Sequence, residues 1–112
     1  MTIMITKREK HLLRRLVEEA WEAELNAELE QLFEHFCQWA ERGMSAFELS
    51  DEIHAFHNGV SRELFSRYTR VDPVMAVSRA VAAGVLSEDG IDDELFGKLV
   101  PLVDTFRNIE NK

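Results

Sequence analysis

Cysteine is nearly absent: Cys37 is the only one in 112 residues. No intrachain disulfide or multi-cysteine metal site can form, and a reducing cytoplasm is the compartment such a chain suits. Proline occurs twice and glycine five times, and neither occurs in the first 42 residues. No apolar run approaches the length of a membrane span, so no membrane partner is expected. No basic stretch precedes an apolar run at the N-terminus, so residues 1–6 are not a signal peptide. They read instead as a weak strand, a loose end or a vector-derived leader. A glycine-rich phosphate loop, a dinucleotide fingerprint, a nucleophile elbow and any nucleic-acid motif are all missing. Enzymatic activity is therefore not expected.

Acidic residues outnumber basic ones, and the net charge is −8. It is unevenly spread. Residues 1–20 carry +2, residues 21–44 carry −5, residues 45–70 carry −1 and residues 71–112 carry −4. Such a balance repels phosphate backbones, so nucleic acid is not an expected partner. An acidic face from Glu22 to Glu41 suits a basic protein partner. The basic end, Lys7 to Arg15, reads as a solvated helical face. At 46% hydrophobic and 30% charged residues, the chain can bury a core and is too apolar for disorder. One domain over residues 1–112 is expected, exposing roughly 6,300 Å² when folded.

What is abundant is Glu, Leu, Ala and Arg, the strong helix formers, between Lys7 and Arg42. Apolar residues recur there at spacings of three and four, which is a helical stripe. Trp21, Leu25, Leu29, Leu32, Phe36 and Trp39 form a heptad-like seam. A helix this long would overhang a domain whose radius of gyration is about 13 Å. Either it breaks near Asn26 into a hairpin, or it stays whole and pairs with another chain. The second is favoured, as a homodimer with that seam as interface.

Gly43 is placed to end this helix at the left-handed C′ position. Ser45 to Glu48 matches a capping box and starts a second helix. Asn58-Gly59 reads as a turn before a third helix from Val60 or Ser61 to about Tyr68. Asp72-Pro73 opens a fourth, stopped by Gly84. Asp92 or Asp93 caps the last, which Pro101 should kink or split. The fold class is all-α: a long N-terminal helix plus four or five shorter ones in a compact bundle.

One stretch is dense in polar side chains: Glu48, Asp51, His54, His57, Arg62, Glu63 and Tyr68. Asp51, His54 and His57 stand at i, i+3 and i+6 on one broad side of a helix. A turn at Gly59 would bring Ser61, Arg62 and Glu63 back beside them. A carboxylate with two imidazoles suits zinc or iron, so these three are what a metal would use. Yet Ala55 and Phe56 stand between the histidines, where a metalloprotease helix needs a glutamate and i, i+4 spacing. No second helix repeats the Asp51-x-x-His54 pair, so the di-iron pattern is also missing. No metal and no cofactor are therefore expected. The favoured reading is a polar junction in which Arg62 pairs with Asp51 or Glu48 and Tyr68 caps the cluster. Ser61 beside Arg62 gives only a poor nucleophile. Cys37, among Phe33, Phe36 and Ala40, reads as a small buried hydrophobe, and His35 as solvated. The functional expectation is a non-enzymatic binding or oligomerisation module. The alternative is a metal- or His-dependent small-molecule binder or hydrolase using Glu48–Tyr68.

Overall fold

In the computed structural model, which describes residues 4–110, the first helix starts at a double cap. The Glu9 backbone N–H donates to the Thr6 hydroxyl, and the Thr6 N–H donates to the Glu9 carboxylate. Two of the donors a helix start leaves open are thereby satisfied. With no glycine or proline to interrupt it, helix α1 runs unbroken from Lys7 to Ala40. The hairpin at Asn26 does not occur. Met4 to Thr6 form no strand: Ile5 packs against the core, and Lys98 donates to the Met4 carbonyl. Residues 1–3 lie outside the described residues.

The end of α1 differs from expectation by one residue. Arg42, not Gly43, takes the left-handed conformation, with φ 69°. The Gly43 N–H then reaches the Gln38 carbonyl and the Arg42 N–H the Trp39 carbonyl, the two bonds of a Schellman cap. Ser45 caps the next helix by accepting from the Glu48 N–H, though the return bond of the expected capping box does not form among the described residues. The larger correction follows. Asn58-Gly59 does not turn the chain. Helix α2 (Ala46–Ala55) passes through a π-helical turn (Phe56–Ser61) into α3 (Arg62–Thr69), and residues 46–69 form one rod. It runs back antiparallel along α1, with Glu52 opposite His35 and Arg67 opposite Glu24.

Packing explains why two poor helix formers stay helical. Phe56, Val60, Leu64 and Tyr68 all turn inward to varying depth and lie four apart. Three steps of four carry an α-helix about 1,200°, roughly 120° past three full turns. A π turn accommodates one extra residue and absorbs most of that drift, keeping all four on the α1 side.

Asp72 accepts from the Val74 N–H, and Pro73 opens α4 (Pro73–Ala82). A Schellman cap closes α4 with Gly84 at φ 79°. A 3₁₀ turn (Glu88–Gly90) leads to Asp92, which caps α5 (Asp93–Glu110) by accepting from the Leu95 N–H. Pro101 does not split α5. Pro101 and Gly97 are both exposed, so the carbonyl deprived of its helical partner faces solvent. The all-α architecture therefore holds, with no strand among the described residues.

Two buried clusters lie on the first half of α1. Leu13 and Leu16 meet Val77 and Val81 of α4 and Leu95, Leu99 and Val103 of α5. Ala20 meets Ala76 and Ala80 of α4 and Leu64 and Tyr68 of α3. Three alanines at the α1–α4 contact are at most 2% exposed, so these helices approach closely. Beyond residue 25, α1 leaves this body. Its second half and α2 form a projecting arm on which Leu49 is the one buried apolar side chain among the described residues. The molecule measures 54 × 32 × 24 Å with a radius of gyration of 17.4 Å. It exposes 8041 Å², against the roughly 6,300 Å² scaled from its mass.

Candidate functional site

The polar stretch from Glu48 to Tyr68 is drawn out along the rod rather than folded on itself. Glu48, Asp51, His54, His57, Arg62 and Glu63 are exposed, and Tyr68 alone is buried, at 4%. Without a turn at Gly59, Ser61, Arg62 and Glu63 lie further toward the body instead of returning to the histidines. Arg62 makes no ion pair among the described residues, so the expected pairing with Asp51 or Glu48 does not form. No group of three or more His, Cys, Asp or Glu could hold a metal ion among the described residues.

A polar junction does exist, on other partners. Glu24 of α1 accepts from the Tyr68 hydroxyl, from Arg67 Nη1 at 3.2 and 3.3 Å, and from Arg79 Nη2 of α4 at 3.2 Å. Arg67 Nη2 also donates to Glu63 at 3.0 Å. The indole of Trp21 stacks on Tyr68 at 6.4 Å, and Phe65 meets Trp21 edge-on at 5.8 Å. Burial, then the bond to Glu24, pushes the Tyr68 hydroxyl up to about 12. Two carboxylates and two guanidiniums balance, and every oxygen of Glu24 is engaged. This arrangement clasps α1, α3 and α4 together; it has no free nucleophile or base. The sequence pointed to Tyr68 and Glu63 beside Arg62 and the histidines rather than here, and it did not single out Glu24, Arg67 or Arg79. Their separations of 43 to 55 residues leave no local pattern to read.

The arm carries the other candidate. Of the predicted dimer seam, Trp21 and Leu25 pack on the second cluster and Leu32 lines a groove of about 170 Å³ against α2. Leu29, Phe36 and Trp39 stay 40–44% exposed, and Phe33, absent from that seam, is 63% exposed. On α2, Phe47 is 85% and Ile53 39% exposed. Cys37 is exposed with them rather than buried. His35 is not solvated as expected: its Nδ1 is buried, 3.5 Å from Glu52. At roughly 150–250 Å² per aromatic side chain, the exposed fractions of the α1 row sum to about 400 Å² of apolar surface, the size of the largest patch a monomer usually shows.

The charge is just as localised. Between residues 21 and 60 nine carboxylates face one guanidinium, Arg42. That segment bears the whole net charge of −8, and the remainder is neutral. Among the described residues, only Glu24 and Glu52 of those carboxylates have a basic side chain within ion-pair distance.

Comparison with protein-family models, with curated proteins and with solved structures finds no match for this chain.

Proposed function

We propose that the chain is a non-enzymatic helical binding or oligomerisation module, with the arm as its working surface. The observation that carries this reading is the row Leu29, Phe33, Phe36 and Trp39, left exposed on a projecting helix. Apolar side chains at this spacing are the anchors by which one helix receives another. A second copy laying its own α1 along the row is the homodimer that the heptad-like stripe suggests. Size-exclusion chromatography with light scattering at micromolar concentration tests that assembly. A dimer that Phe33→Glu converts to a monomer puts a second copy on the row, and a wild-type monomer removes the homodimer.

A second reading keeps Glu48–Tyr68 as a His-dependent small-molecule site. It is favoured by the π turn beside His54 and His57, since such turns occur frequently at functional sites. Zinc that leaves the melting temperature unchanged, with no stoichiometric metal in the purified protein, sinks its metal form.

A further inference from the structure

We infer that the occupant of the arm's apolar row is a basic amphipathic helix from a different protein. The inference rests on the arm being a binding surface, and charge selects the occupant. Leu29, Phe33 and Phe36 lie four and three residues apart, so a straight helix can cover them with anchors at i, i+3 or i+4, and i+7. Around that row, residues 26–60 carry seven carboxylates against Arg42, a net −6 of the molecule's −8. A second copy would bring −6 against −6 at the arm, whatever the direction of the two helices. A helix with lysines and arginines flanking its apolar face would meet carboxylates that have no cation within the chain. Glu30 and Glu34 are exposed on the same helix as the anchors. Such complementarity governs partner choice and association rate more than it adds raw affinity.

The test uses the full chain and synthetic helical peptides of about five turns, identical in their Leu face but with Lys, Gln or Glu elsewhere. Fluorescence anisotropy measures binding, with light scattering on the protein alone. The expected result is a monomeric protein that binds the Lys peptide best, with affinity falling about tenfold from low to high salt. Phe33→Glu with Phe36→Glu should weaken it by about 30-fold or more, as loss of hot-spot aromatics does. These side chains lie outside both buried clusters, and circular dichroism checks that the fold is kept. Glu30→Lys with Glu34→Lys should weaken only the Lys peptide. Equal binding of all three peptides overturns charge selection but leaves the binding surface. A dimer dissociated by Phe33→Glu overturns this occupant in favour of a second copy. A monomer that binds none of the three peptides overturns both the inference and the binding-module reading.

Discussion

Arg42 and Gly84 hold the same position after two different helices, left-handed and just beyond the C-cap. For an L-residue that conformation costs about 1–2 kcal/mol, whereas glycine adopts it freely. Arg42→Gly should therefore raise stability by about 0.5–1 kcal/mol, the backbone relief partly offset by the freer unfolded chain. Gly84→Ala should lower it by about 1–2 kcal/mol through the backbone alone, since a Cβ there meets nothing within 4 Å. Urea unfolding of the two variants measures both. Tyr68 yields a pH prediction. Its folded pKa is raised to about 12 from an ordinary value of 10, so the stability it confers is intact below pH 10 and is lost as pH rises toward 12. It is the only tyrosine, so phenolate absorbance follows it directly. Tyr68→Phe should cost about 1.5–3 kcal/mol, the value of a bond to a charged acceptor, and remove that component of the alkaline loss. Acid acts on Glu9, whose carboxyl is held below its usual range by Lys98 and the Thr6 N–H. Its contribution is present above the ordinary carboxylate pKa and lost as pH falls through the lowered one.

At the scale of elements, the π turn joins α2 to α3 with the phase both need to face α1. Inserting an alanine after Gly59 would exceed the one extra residue the π turn holds and rotate α3 by about 100° relative to α2. Leu64 and Tyr68 would turn away from α1, at a cost of about 3 kcal/mol or more. Gly59→Ala should instead stabilise by about 0.5–1 kcal/mol, because its φ is ordinary and its Cβ would sit in open space. Thermal melts of both variants distinguish a phase-setting turn from a loose one. The caps show how far sequence reaches. Ser45, Asp72-Pro73, Gly84 and Asp92 were legible because a cap is a contract among residues within one turn. Thr6-x-x-Glu9 was equally local and was overlooked. Asn58-Gly59 was misread because propensity favours a turn there, while Leu64 and Tyr68, packed against α1, decide otherwise. The Glu24 clasp is legible only in three dimensions, because each of its partners from α3 and α4 is locally unremarkable.

At the scale of the molecule, stability is graded from body to arm. Both buried clusters lie on the first half of α1, and the arm has one buried apolar side chain among the described residues. Amide hydrogens of residues 30–56 should therefore exchange faster than those of residues 13–20 and of α4, by orders of magnitude under native conditions. Mass-resolved exchange reads this directly, and uniform protection along α1 would show the arm covered in solution. The single unbroken α1 also has a mechanical consequence. It is a lever with its fulcrum at Ala20, buried against Ala76 and Ala80. From there to Ala40 is about 30 Å of stiff helix, so a tilt of about 5° at the alanine contact moves the tip by roughly 2.6 Å. A load on the tip is returned to the same three alanines as torque, and the Glu24 clasp stands just beyond them to resist it.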